Sequence, residues 1–124
     1  MATVLIAEDD TDIRDLVIFR LKQAELDVIE VKDGLAAVAA ALRDRPDVAV
    51  LDVAMPGLSG LEVCRQLRAA PETRHMLILL LTARAQETDI EQGFAVGADD
   101  YMTKPFSPRE LATRVRSLLD RPRE

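Results

Sequence analysis

Met76-Leu77-Ile78-Leu79-Leu80-Leu81-Thr82 is the most apolar stretch of the chain, and whether it is helix or strand decides the fold. Six apolar residues are short for a helix, and the run lies between two segments of helical spacing, so it reads as a central strand. Before it, a helix predicted over residues 61–69 is stopped by Pro71 and entered through the loop Pro56-Gly57-Leu58-Ser59-Gly60. Further back, Pro46 precedes an apolar strand over residues 48–51 that ends at Asp52, and Gly34 opens an Ala-rich helix to about residue 43. Residues 28–31 read as a strand. Thr11 or Asp10 caps a helix to about Ala24, in which Ile13, Leu16, Val17, Phe19, Arg20 and Leu21 follow helical spacing. The first strand, residues 4–7, runs into Glu8, Asp9 and Asp10.

Downstream of Thr82, a helix is predicted over residues 87–96, closing at Gly97. A short strand over residues 100–103 meets Lys104-Pro105, and a last helix runs from Pro108 to about Leu119 with Ser107 as its cap. Five strand-then-helix units predict an α/β fold: a doubly wound five-stranded parallel sheet with helices on both faces, one domain over residues 1–124. Only one Tyr, three Phe and no Trp are present, so Leu, Val, Ile and Ala must fill the core.

The balance of 16 basic against 22 acidic residues gives a net charge of −6, which disfavours direct binding to nucleic acid. One Cys excludes an internal disulfide and a cysteine-based zinc cage. The first residues carry no basic region of a signal peptide, and no apolar run approaches the roughly 20 residues that span a bilayer, so no membrane association and a cytoplasmic location are expected.

In such a sheet, ligands bind beyond the carboxyl ends of the strands, near the point where strand order reverses. Glu8, Asp9 and Asp10 follow the first strand, Asp52 the third, Thr82 the fourth and Lys104 the fifth. Clustered carboxylates either take up protons or recruit a cation, and an all-oxygen set suits a hard ion such as Mg²⁺. Lys104 as a point charge and Thr82 as a hydroxyl donor would stabilise phosphoryl oxygens, so the rim reads as a site of phosphoryl transfer to a carboxylate, with Asp52 as the nucleophile.

Glu8-Asp9, Leu51-Asp52-Val53-Ala54-Met55-Pro56-Gly57, Leu81-Thr82-Ala83 and Lys104-Pro105-Phe106 resemble the motifs of bacterial two-component response-regulator receiver domains, the CheY-like, flavodoxin-like fold. The resemblance runs from about residue 3 to residue 119, with four motifs in the family's order and spacing. It implies strand order 2-1-3-4-5 with five helices. It implies Asp52 as phosphoacceptor, Asp9 as a direct Mg²⁺ ligand, Glu8 as the second acid acting largely through water, and the main-chain carbonyl of Ala54 as a further ligand. Thr82 and Lys104 match the residues that hold the phosphoryl group, Ala83 the residue that leaves room for it, and Tyr101 the aromatic whose rotamer follows Thr82. Lys104-Pro105 matches a peptide that is cis in the family. The implied partners are a sensor histidine kinase or phosphotransfer protein and a downstream effector or output domain. The product is a changed binding face built from the fourth helix, fifth strand and fifth helix, so the chain is a switch and not an enzyme.

The stretch from Gly97 to Arg116 also resembles the OmpR/PhoB class, whose receivers form homodimers through charge pairs across this face; Asp100 and Arg114 match one such pair. Ile90 and Ala95 stand where that class has a basic and an acidic residue, which leaves the pattern incomplete and Ile90 exposed. Ala54 and Arg84 occupy the two positions that influence the lifetime of the aspartyl phosphate in the family; they imply a moderately long-lived state if Arg84 reaches over the phosphoryl group, and no such effect if Arg84 is simply a solvated loop residue. Asp10 is expected to serve as a helix cap, His75 to lie on the surface, and Cys64 to pack with Leu61 and Leu67. Met55, Met76 and Met102 are expected to fill core gaps, and Asp89 and Asp99 to be solvated. Two other readings compete: a pseudo-receiver that keeps the fold without switching, and a small Mg²⁺-dependent aspartyl-phosphate phosphatase. The latter needs a second Asp two residues after the nucleophile, where Ala54 stands.

Overall fold

The computed structural model describes residues 2–83, 91–92 and 94–121. In chain order they form β1 (Thr3–Ala7), α1 (Thr11–Gln23), β2 (Asp27–Val31), α2 (Gly34–Asp44), β3 (Val48–Asp52), α3 (Gly60–Ala69), β4 (Leu77–Thr82), β5 (Asp100–Thr103) and α4 (Pro108–Leu119). Half of the expected helix over residues 87–96 lies outside the described residues; within it, Glu91, Gln92, Phe94 and Ala95 are helical. Four helices therefore have defined bounds among the described residues, against the five expected.

All strand pairs are parallel, in the order β2-β1-β3-β4-β5. The apolar runs explain which strands are central. β3 is buried at every position and β4 at all but Thr82, whereas β2 and β5 mix more and less buried positions, as edge strands must. Alternation along each strand sends side chains to opposite faces. Val4, Ile6, Val50, Leu79 and Leu81 join Val17, Leu21, Leu111 and Val115 of α1 and α4 in one core. Leu5, Ala49, Leu51, Ile78 and Leu80 join Ala41, Val63 and Leu67 of α2 and α3 in the other.

Each of these four helices opens on a side chain that accepts the amide three residues on: Asp10 from Ile13, Asp33 from Ala36, Ser59 from Glu62 and Ser107 from Glu110. Asp10 is thus the cap that the sequence suggests. The spacing of α1 is helical as expected, and the structure adds which face is buried. Leu16 and Phe19 are 57% and 60% exposed, and the buried face is Arg14, Val17, Ile18 and Leu21.

A correction concerns Asp99, expected to be solvated. Its Oδ2 accepts from the Ile78 amide and from Arg68 Nη2, each at 2.8 Å. The physical reason lies in the register. Leu79 pairs with Asp100 as the first step of the β4–β5 ladder, so the Ile78 amide lies just before it and needs an acceptor. Arg68 of α3 also donates to the carbonyls of Gly97, Arg74 and Met76, which fastens the approach to β5 onto α3 and β4. Asp89 lies outside the described residues.

Gly60 is where the fold and the site meet. A Cβ there would stand 2.4 Å from the Asp52 carbonyl oxygen and 2.9 Å from its carbon, both backbone atoms with no room to yield. The missing side chain lets the start of α3 approach the end of β3. Gly60→Ala is expected to cost about 1–3 kcal/mol, the range for overpacking a closed site. Urea unfolding checks this, and a midpoint equal to wild type would show that the approach is not required.

Candidate functional site

The carboxyl ends of β1, β3, β4 and β5 deliver Glu8 and Asp9, Asp52, Thr82 and Lys104 to one rim. β1 pairs with both β2 and β3, so the connections diverge there and leave a crevice above the sheet. Glu8 is completely buried and Asp52 is 3% exposed, while Asp9 is exposed. One carboxylate oxygen from each of the three lies within 4.8 Å of the others.

Lys104 closes the group. Its Nζ donates to Asp52 Oδ2 at 2.9 Å and lies 2.8 Å from Glu8 Oε1. The second contact is an ion pair; among the described residues no hydrogen bond of regular geometry reaches Glu8 Oε1, although it is buried. Glu8 Oε2 accepts the Asp10 amide at 3.2 Å, and Asp52 Oδ1 accepts the Ala54 amide at 3.2 Å. The Lys104-Pro105 peptide is cis, as the resemblance implies, and the Lys104 amide donates to the Thr82 carbonyl at 2.7 Å.

Burial is the main influence on Glu8, and the neighbouring Asp52 carboxylate adds to it. Lys104 and the Asp10 amide act in the opposite sense, and the carboxyl stands at about 7. For Lys104, burial works against the charge, but the bond to Asp52 and the pairing with Glu8 outweigh it and raise its pKa. A buried carboxylate oxygen whose charged partner is Lys104, beside two further carboxylates, is part of a donor set with hard oxygen atoms and an excess of negative charge. That chemistry fits a Mg²⁺ ion, whose preferred ligands are a few carboxylates, a carbonyl and water. Glu8, Asp9 and Asp52 are the residues that would hold it.

Thr82 is half-buried at the end of β4, and Ala83 after it is exposed. Thr82 pairs with Thr103 and Leu80 with Tyr101, so Thr82 and Tyr101 share one face of the sheet at successive same-face positions. The half-buried Tyr101 ring meets Phe94 edge-on, with centroids 5.6 Å apart and planes at 85°. Arg114 bonds to Asp100 of its own chain at 3.1 Å and approaches Glu110 at 3.6 Å. Arg84 and Ile90 lie outside the described residues.

The residues expected to be ordinary are so. His75 is exposed and its Nε2 accepts from Arg74. Cys64 is buried in the α2–α3 core, burial pushes its thiol up to about 11, and its Sγ donates to the Val96 carbonyl. Met55, Met76 and Met102 are buried as gap fillers. The expectations passed over Arg14, a charged residue 6% exposed whose Nη1 donates to the Glu8 carbonyl at 2.9 Å. Its signal was its spacing, one turn before Val17 and Ile18 on the inward face of α1. Among the described residues, no helix is long and apolar enough to cross a membrane.

Similarity to known proteins agrees with this geometry. The response regulator receiver domain family matches residues 4–116. The chain is 45% identical over 118 residues to the alkaline phosphatase synthesis transcriptional regulatory protein PhoP of Bacillus subtilis, covering 95% of this chain and 48% of that protein. It is 44% identical over 119 residues to the transcriptional regulatory protein CreB of Escherichia coli, covering 96% and 51%. The chain thus spans about half the length of the curated relatives it matches. A putative response regulator from Chloroflexus aurantiacus superposes with a TM-score of 0.91 at 35% identity, covering 97% of this chain and 98% of that one. The receiver domain of a sensor histidine kinase from Pseudomonas aeruginosa, solved with a magnesium ion coordinated in its active site cleft, superposes with a TM-score of 0.88 at 31% identity, covering 97% and 98%.

The raised Glu8 carboxyl has a consequence for stability against pH. Folded, it holds its proton up to about pH 7, against an ordinary value of 4.5, so protonation favours the folded state. That contribution is complete below about pH 4.5 and is lost as pH rises through about 7. In metal-free buffer, wild type should lose urea resistance relative to Glu8→Gln across this window. Parallel midpoints for the two proteins would contradict the assignment.

Proposed function

The chain belongs to the response regulator receiver domain family, and from that premise we propose that Asp52 accepts a phosphoryl group from a phosphohistidine of a sensor histidine kinase or phosphotransfer protein. The observation that carries the reading is the contact of Lys104 Nζ with both Asp52 and Glu8 at the buried end of the crevice. A carboxylate held this way is oriented before any donor arrives, which is the positioning that phosphoryl transfer needs.

The Asp52 carboxylate attacks phosphorus in line with the donor nitrogen. An O–P bond forms, the N–P bond breaks, and its electron pair returns to the imidazole, which is then protonated. Lys104 offsets charge on the phosphoryl oxygens, and the Thr82 hydroxyl donates to one of them. Mg²⁺ held by Glu8, Asp9, Asp52 and the Ala54 carbonyl would neutralise the carboxylates against the incoming anion. Ala54 carries no acid at the position a phosphatase needs, so the chain works as a switch that catalyses only its own modification and its reversal.

Movement of Thr82 toward the phosphoryl group would make room on the shared face for Tyr101 and change the surface formed by β5 and α4. This surface would serve a downstream effector or an output domain, and the regulators it resembles suggest the OmpR/PhoB class. A homodimer through this face would have to draw Asp100 and Arg114 out of their contact within one chain. We assign residues 1–124 to one receiver unit acting in the cytoplasm, with no membrane or direct nucleic-acid contact of its own.

Incubation with a small phosphodonor tests the proposal. Intact mass should show a single phosphoryl group on wild type with Mg²⁺, little without it, and none on Asp52→Asn. An unmodified wild type with its fold intact would favour the pseudo-receiver reading and leave Asp52 a structural carboxylate.

A further inference from the structure

We propose that Arg14 is a positioning residue for the cation site: from within the core it fixes the backbone that presents Glu8 and Asp9. This inference rests on the reading of those residues as Mg²⁺ ligands. Its basis is a set of three bonds that lock the segment between β1 and α1. Arg14 Nη1 donates to the Glu8 carbonyl at 2.9 Å, a buried contact. The Asp10 amide donates to Glu8 Oε2 at 3.2 Å, and the Ile13 amide to Asp10 Oδ1 at 3.1 Å.

The Glu8 carbonyl and the Asp9 amide belong to one planar peptide unit. Holding that carbonyl therefore sets the direction in which the chain leaves for the Asp9 Cα. Asp9 is the exposed member of the carboxylate group and lies outside the core packing that holds Glu8 and Asp52, so its placement depends on its backbone. Arg14 is suited to that task because its own position is not free. It lies on the inward face of α1 with Val17, Ile18 and Leu21 and is itself only 6% exposed. A charged donor to a buried carbonyl also makes a stronger bond than a neutral one.

Residues that orient ligands from behind commonly account for 10–100-fold in metal affinity, so Arg14→Met, which keeps the stem and removes the donors, should weaken Mg²⁺ binding by about tenfold or more. The measurement is a Mg²⁺ titration of the full chain followed by amide NMR. Arg14→Lys, which restores one donor, should recover most of the loss. Val115→Ala, a cavity in the same core, should lower stability and leave affinity unchanged. In metal-free protein, the Asp10 and Ile13 amides of Arg14→Met should exchange faster, with those of Leu79 and Leu81 unaffected. Equal affinity for Arg14→Met and wild type would overturn the inference while leaving the site reading in place. So would an equal loss in Val115→Ala. A wild type that binds no Mg²⁺ would overturn both.

Discussion

Two carboxylates from different strands are buried within reach of one lysine, and the arrangement of the crevice reflects the need to keep that group in balance. Glu8 leaves β1, Asp52 ends β3 and Lys104 comes after β5, so the ammonium reaches across the end of β4 to join strands that are not its neighbours. Burying a carboxylate without a partner costs several kcal/mol, on the order of what a whole domain has to spare. With Asp9 included, three carboxylates face one ammonium, which leaves two negative charges uncompensated when all are ionised. The protein has two ways to relieve that excess. Without a cation, Glu8 retains a proton to about pH 7; a cation held there would give the Glu8 oxygen a second positive neighbour beside Lys104.

The rest of the fold places these side chains. Central strands made of unbroken apolar residues bring the ends of β1, β3 and β4 level, and helices on both faces leave only the strand ends open for polar chemistry. Gly60 lets α3 begin against the Asp52 backbone, and Arg14 holds the Glu8 carbonyl from below. On the far side, Arg68 and Asp99 fasten the entry to β5 and so fix where Lys104 emerges. These contacts lie outside the crevice, yet each determines the position of a residue within it.

Much of this was legible in the sequence. Apolar runs between segments of helical spacing marked the strands to within a residue or two, because strands buried on both faces leave no other use for such runs. Asp9, Asp52, Thr82 and Lys104 could be placed because a parallel sheet sends the residues after each strand to one rim. The pairing of surface-type residues with backbone groups could not be read. Asp99 looked solvated because its partners, the Ile78 amide and Arg68, are 21 and 31 residues away. Arg14 was passed over because hydropathy marks an arginine as outward, whereas Leu16 and Phe19 are the residues α1 exposes. Helical spacing set the period of that helix but not its phase.

If this balanced group governs the chemistry, Asp52 and no other oxygen in the crevice is the acceptor. Borohydride reduction after reaction with a phosphodonor and Mg²⁺ tests this, since an acyl phosphate is reduced to an alcohol and a phosphate ester is not. Peptide mapping should find the reduced side chain at position 52. A reduced residue at Glu8 or Asp9, or a phosphoryl group that survives reduction on the Thr82 hydroxyl, would contradict the assignment.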